Sequence, residues 1–568
     1  MFPTFYSLLS IFCFFCYNKN MKNIALEWSK EIIWYQIFPD RFRRGNPDNP
    51  IKETYFSKEK IKYWAPSRFS KKWETRDHWE KNLSKDFYST LHLRRYLGDI
   101  KGIKESIPYL KKLGITGIYL NPIFMAPSSH KYDHACLHHI DPYLGSDPLG
   151  DIQIINSEKR PEDPNNWKNT TADIEFFDLV RSLHKNNIRI IIDGVFNHSG
   201  RDFFAFQDIL KKGKDSSYKE WYDIHDFNKL KYNCWLGHSS LPEFSRAQDN
   251  LKDVVKDYIF ACIEKWLFPD EKQAGGDGIR LDAADCLPHG FLKDLFSFIK
   301  NISSEKLIVG ELWHISSDYV NNKEMDIVMN YPFAYNAFEF FIDRIKPSEF
   351  IRKTEELFSS YPKENLFSMQ NLFGSHDSSR LSTIIKNPGI KWRESEHFQM
   401  SQKYNNPKYN TNGLTKTEKR IRKNMLVMQF TFPGAPMVYY GDEVGLDGAN
   451  DPDCRKPMLW DDILSDCKID FKLRGFYKRL ISKRNKYSAL RNGTFKFISH
   501  SDNEKILVYI REDKKNKIVV AFNNSSVKRK IKIFTKKTTF KDVLKNKQFE
   551  DKHILLQPYS SVIIEVLK

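Results

Sequence analysis

Four short apolar runs in this chain each end in ionisable side chains, and that recurrence limits the folds open to it. Gly276-Asp277-Gly278-Ile279-Arg280-Leu281-Asp282 alternates apolar and charged residues after a glycine turn, the pattern of a strand that delivers charge to one end of a sheet. Burying Asp282 unpaired costs several kcal/mol, so Arg280, two positions back on the same strand face, is the expected counter-charge. An isolated R-x-D is as a rule a structural ion pair. Its company changes the reading: Ile190 to His198 carries Asp193, Leu307 to Trp313 carries Glu311, and Asn371 to Asp377 carries His376 and Asp377. In a barrel of parallel strands the C-terminal strand ends converge on one mouth, and converging carboxylates there suit cleavage of a glycosidic bond.

Strand and helix patterns alternate from Trp34 onward. Strands are expected at 33–38, 115–122, up to Asp193, at Asp282, at Glu311, at 327–329, near Gly374 and at 436–440, with helices at 101–113, 172–185, 254–266, 291–299, 416–430 and 471–486. This is a (β/α)8 TIM barrel, an α/β fold. The segment 199–250 is too long for an ordinary loop and reads as a small domain inserted after the third strand. Alternating runs such as Ile506 to Ile510 and Ile518 to Phe522 predict a C-terminal antiparallel β-sandwich over 487–568. The barrel is thus expected over 28–486.

Residues 1–27 form an apolar leader whose lysines, Lys19 and Lys22, follow rather than precede the apolar run. That charge order is wrong for a secretory signal. With Met21 as an alternative start, the segment is either upstream read-through or an atypical signal or anchor, and membrane association is expected only in the second case. The net charge of +18 ordinarily points to nucleic acid or acidic membrane. Here lysine is spread along the whole chain, with no basic run interleaved with aromatics, so no nucleic-acid partner is expected. The eight cysteines are scattered, and the one C-x-x-C, Cys13 to Cys16, has no zinc-spaced partner, which fits a reducing compartment and a cytoplasmic protein.

The four charged strand ends, in this order, resemble the signature regions of the α-amylase superfamily, glycoside hydrolase family 13. Trp34 to Phe42, His130-Lys131-Tyr132-Asp133, Met329 to Phe333, Gly441-Asp442-Glu443 and Asn450 to Arg455 are similar to the neopullulanase, cyclomaltodextrinase and maltogenic amylase branch. The resemblance implies a retaining α-glycosidase that hydrolyses α-glucosidic bonds in maltooligosaccharides, cyclodextrins, pullulan or starch fragments, or an α-glucanotransferase on the same scaffold. It implies Asp282 as nucleophile, Glu311 as acid/base and Asp377 as the carboxylate that holds the hydroxyls of the −1 sugar. Tyr132 would stack on that sugar, His198 and His376 would donate hydrogen bonds to it, Arg280 would keep Asp282 ionised, and Asp451 with Arg455 would grip the next sugar outward. A non-catalytic, membrane-anchored relative is the rival, and it would lack part of the carboxylate set. No cofactor is needed for this chemistry. Asn46, Asp48, Asn49 and Asp99 match the place where relatives bind Ca²⁺, so they are either a structural calcium site or a solvated turn. The chain departs from the branch at Cys136-Leu137, at Cys286 four residues past the nucleophile, and at Ser245, which leaves linkage preference open. The branch's N-terminal β domain is not seen ahead of the first strand, so a monomer is expected.

Overall fold

The computed structural model describes residues 23–49, 51, 55–57, 60–270, 272–463, 466–532, 539–551 and 553–567. Eight strands form one parallel sheet: β1 Trp34–Ile37, β2 Gly117–Leu120, β3 Arg189–Gly194, β4 Gly278–Leu281, β5 Leu307–Gly310, β6 Ile327–Val328, β7 Gln370–Asn371 and β8 Ala435–Tyr439. Sequential strands are neighbours from β1 through β6, and β8 pairs with both β1 and β7. The cylinder closes between β6 and β7 through a single parallel bridge, Met329 to Gln370, with the Asn330 N–H donating to the Gln370 carbonyl at 2.9 Å. β1, β2, β4 and β5 are buried along their whole length, as expected of strands covered on both faces. Strand packing leaves no room for a side chain at Gly278, where a Cβ would lie 2.1 Å from the Leu307 carbonyl oxygen.

Helices cover the outside. Thr171–Lys185 starts at a capping box in which the Thr170 hydroxyl accepts from the Asp173 N–H and the Asp173 carboxylate accepts from the Thr170 N–H. The helix expected over 101–113 is two helices, Ile100–Glu105 and Ile107–Leu113. Pro108 is the reason: it lacks an N–H and sits where only a first turn tolerates it. Between β3 and the helix Asp253–Leu267, the inserted segment is a helix, Phe204–Lys212, followed by short antiparallel pairs at 224–232 and 246–251. Its Phe203, Phe206, Trp221, Tyr222 and Phe244 are buried in the main core.

After the barrel, six strands form an antiparallel sheet in the order β9 Thr494–Ser501, β10 Ile506–Glu512, β11 Lys517–Asn523, β14 Ser560–Val566, β12 Phe540–Asp542 and β13 Lys547–Phe549. One face packs on the barrel through Tyr509 and Phe522, while Val508, Val519 and Ile564 form a core of their own. At the other end, residues 23–27, placed in the leader by their sequence, pack against the barrel: Asn23 donates to Asp326 at 2.7 Å, and Ala25 and Leu26 are buried. Residues 1–22 lie outside the described residues. No helix among the described residues is long and apolar enough to cross a membrane.

Candidate active site

Register brings the first two carboxylates together. Leu281 faces Gly310 across the β4–β5 ladder, so Asp282 and Glu311, each one residue further on, leave the sheet side by side. The Glu311 N–H donates to the Leu281 carbonyl at 3.0 Å and the Asp282 N–H to Gly194 at 3.1 Å, which fixes both backbones. Adjacent strands are about 4.8 Å apart, the scale of the ~5–5.5 Å carboxyl separation of a retaining glycosidase rather than the wider gap of an inverting one.

Arg280 ties the pair together from beneath, fully buried. Its Nη1 donates to Asp282 Oδ1 at 2.8 Å and to Asp193 Oδ1 at 2.7 Å, and its Nη2 lies 2.6 Å from Glu311 Oε2. The last contact is short but lacks hydrogen-bond alignment. Arg280 therefore favours the ionised form of Asp282 more effectively than that of Glu311. Burial pushes both carboxyls above the usual range, with Arg280 opposing and the other carboxylates adding to the rise. Two acids in such contact titrate as a pair, and the better-aligned guanidinium bond favours charge on Asp282. Just past Asp282, Ala283 adopts a left-handed backbone at φ 42°, and its N–H donates to Glu311 Oε2 at 3.1 Å. A strained residue here aims a donor at Glu311. Trp313, stacked on Tyr331 at 3.7 Å, supplies an aromatic wall two residues beyond Glu311.

Asp377 is held differently. His376 Nε2 lies 2.8 Å from its Oδ2 and Arg455 Nη2 donates to its Oδ1 at 2.8 Å. Against the upward push of burial, His376 and Arg455 keep Asp377 well below the usual carboxylate range. The Gln36 amide donates to His376 Nδ1 at 3.0 Å, which leaves the imidazole proton on Nε2 toward Asp377. Arg455 continues outward to Asp451 Oδ1 at 2.8 Å. Tyr132 lies parallel to the His376 ring at 5.3 Å, and its hydroxyl bonds to His376 Nε2 and donates to Asp193 Oδ2 at 2.9 Å. His198 is buried beside Trp235, and neither ring nitrogen makes an aligned hydrogen bond. Burial brings its pKa down to about 3, so it is a neutral imidazole with polar atoms to offer a ligand. The structure thus gathers Asp282, Glu311, Asp377, Arg280, Tyr132, His376, Arg455 and Asp451 into one linked network, with His198 on its margin.

Sequence reasoning named Asp193 as one of the converging carboxylates without a role, and missed the other supports. Asp193, fully buried, accepts from Arg280 on Oδ1 and from Tyr119 at 2.7 Å and Tyr132 on Oδ2, so it positions its neighbours. Gln36, Asn121 and Tyr119 come from the buried β1 and β2 ends. Their signal was a polar side chain in an otherwise apolar strand.

The predicted cation ligands do not fit a metal. Asp99 caps the helix Ile100–Glu105, and its oxygens accept from the Gly102, Gly45 and Asn46 N–H groups at 2.7, 2.9 and 2.8 Å. The Asn49 amide donates to Gly145 at 2.6 Å and Asp48 is exposed. Arg44 is the cation of this turn: its guanidinium donates to the Asn46 carbonyl at 3.3 Å and the Pro47 carbonyl at 2.5 Å. A guanidinium on the carbonyls and amide hydrogens on the carboxylate leave no oxygen cage for Ca²⁺. Elsewhere among the described residues, His138, His139 and Glu158 bring ligand-type atoms within 4.8 Å of one another. Protons account for that cluster: Asp173 and Glu158 raise His139 against the opposing effect of burial, and the two imidazoles pull Glu158 far down despite its burial.

A family model described as the catalytic domain of α-amylase matches residues 36–157 and 169–499, and one described as the C-terminal domain of maltogenic amylase matches 495–563. The chain is 32% identical over 521 residues to a cyclomaltodextrinase of Geobacillus thermopakistaniensis, covering 91% of this chain and 72% of that one. It is 30% identical over 551 residues to neopullulanase 2 of Thermoactinomyces vulgaris, covering 95% and 78%. A solved cyclomaltodextrinase superposes with a TM-score of 0.72 at 28% identity, over 95% of this chain and 79% of that one. The type III pullulan hydrolase of Thermococcus kodakarensis shares the fold, with a TM-score of 0.74 at 23% identity over 96% and 83%. With its barrel, its terminal sheet and most of its length matched, this chain belongs to the α-amylase family of glycoside hydrolases, in the branch of the cyclomaltodextrinases, neopullulanases and maltogenic amylases.

Proposed function

We propose that this chain hydrolyses α-glucosidic bonds in maltooligosaccharides, cyclodextrins and pullulan with retention of configuration. The observation that carries the proposal is the adjacency of Asp282 and Glu311 on neighbouring strands over one guanidinium. Glu311 gives its proton to the glycosidic oxygen as the C1–O bond breaks, and Asp282 forms an ester with C1. Glu311, now a carboxylate, takes a proton from water as that water attacks C1 and releases Asp282. Asp377, fully ionised, holds sugar hydroxyls and stabilises positive charge on the ring in both transition states. Tyr132 stacks on the −1 ring, and Asp451 with Arg455 holds the ring beyond it. The names of the relatives, cyclomaltodextrinase and neopullulanase, support the substrate range. Cys136, Cys262 and Cys454 are buried thiols outside any disulfide, which supports work in a reducing cytoplasm.

Purified protein incubated with maltoheptaose, β-cyclodextrin and pullulan tests this. New reducing ends, released first as the α-anomer by proton NMR and lost in Asp282→Ala, are expected. No cleavage of any of the three, or release of the β-anomer, refutes it.

A further inference from the structure

Residues 386–415, between the helix after Asp377 and the helix Lys416–Thr431, form a long connection whose one helical piece is the single turn His397–Met400. Such a segment inside a compact domain is as a rule functional. It is not loosely tethered. The Asn450 N–H donates to the Ser401 carbonyl at 2.8 Å, the buried Tyr409 donates to Ser379 Oγ at 3.0 Å, and Lys403 Nζ donates to the Pro407 and Tyr409 carbonyls at 2.5 and 2.7 Å. This framework holds Tyr404 at the surface with 46% of its area exposed, next in the chain to a lysine whose bonds brace the turn. Its ring centroid lies 5.4 Å from that of Tyr88, at an angle of 54°. Tyr88 is itself fixed, its hydroxyl donating to Asp453 Oδ2 at 3.0 Å while Trp73 Nε1 donates to Asp453 Oδ1 at 2.7 Å.

The pair stands where a glucan leaves the site. From Asp377 the contacts step outward to Arg455 and then Asp451. Asp451 is close enough to act on the charge of Tyr404, whose pKa burial raises first and Asp451 further. Two aromatic rings, Tyr404 half open to solvent and Tyr88 partly buried behind it, at the end of a line of sugar-binding groups, present the apolar face that a pyranose ring stacks on.

We propose that Tyr404, backed by Tyr88, is a sugar-stacking platform one ring beyond the Asp451–Arg455 pair, so that the donor side of the cleft binds at least three glucose units. This rests on the function proposed above and adds a preference for chain length. The test compares wild type, Tyr404→Ala and Tyr404→Phe on maltotriose, maltotetraose and maltopentaose. Tyr404→Ala is expected to lower the ratio of kcat/KM for maltopentaose to that for maltotriose about 5- to 10-fold, through KM, while Tyr404→Phe keeps the wild-type ratio. A Tyr404→Ala effect equal at all lengths, no effect at any length, or a phenylalanine variant that behaves like the alanine one overturns the platform. Calorimetric titration of maltopentaose into Asp282→Asn, with and without Tyr404→Ala, separates the two claims. A Kd weakened about 5- to 10-fold by Tyr404→Ala supports the platform even if wild type cleaves nothing, and an unchanged Kd overturns it even if wild type is a good hydrolase.

Discussion

Replacing Arg280 by lysine keeps the charge and removes the fork. The guanidinium reaches three carboxylates with two nitrogens, at 2.7, 2.8 and 2.6 Å. One ammonium on a shorter stem serves one of those two nitrogen positions. Hydrogen bonds to charged groups contribute about 1.5–3 kcal/mol each. Losing the Asp282 hydrogen bond therefore removes about 2–3 kcal/mol of transition-state organisation, a fall in kcat/KM of about 30- to 150-fold. The pH profile moves as well. Burial and the neighbouring carboxylates push Asp282 up and Arg280 holds it down, so a poorer cation lets it rise, and the acid limb of kcat/KM on β-cyclodextrin shifts to higher pH. Thermal unfolding of the variant separates this from misfolding, since only the folded fraction contributes to the limb. A lysine variant within a few-fold of wild type, with its acid limb unmoved, would refute the claim that Arg280 sets the ionisation of the nucleophile.

Asp282→Asn is expected to abolish hydrolysis and raise Tm at neutral pH. The folded pKa of Asp282 lies above its unfolded value, so its ionisation weakens the fold as pH rises through that window; asparagine carries no such charge, and a lower Tm above the window contradicts the strain inferred here. Millimolar Ca²⁺ or EDTA is expected to leave Tm unchanged in wild type, because Arg44 already takes the carbonyls of the turn. A stabilisation that grows with Ca²⁺ concentration, as mass action requires of a real site, rules that out.

Much of this was legible before any coordinates, for identifiable reasons. Asp282, Glu311 and the His376–Asp377 pair announce themselves because a charged residue at the end of an apolar strand is costly unless it is used. Pattern alone did not reveal the break at Ser106, since apolar spacing runs unbroken from Ile103 to Leu113 and only Pro108 interrupts the backbone. Of the two readings of the Asn46 to Asp99 residues, calcium site or turn, the bond directions favour the turn. Asn46, Asp48, Asn49 and Asp99 are oxygen-bearing residue types, but Asp99 takes backbone N–H groups, and the nearby Arg44 claims the carbonyls. Asp193, Gln36 and Asn121 do their work by bracing other side chains, and a partner some 340 residues away, as between Gln36 and His376, leaves no local trace in a sequence.

The barrel is shut along one thin seam, the two-residue strands β6 and β7 meeting at Met329 and Gln370. Glu311 follows β5, the strand paired to β6 on one side of that seam, and His376 and Asp377 follow β7 on the other. Any opening there spreads the proton donor away from the group that steadies the sugar's charge, while the rest of the cylinder stays intact. Warming should therefore silence the enzyme before it melts, and the Asn330 amide that clasps Gln370 should be among the first to exchange with solvent.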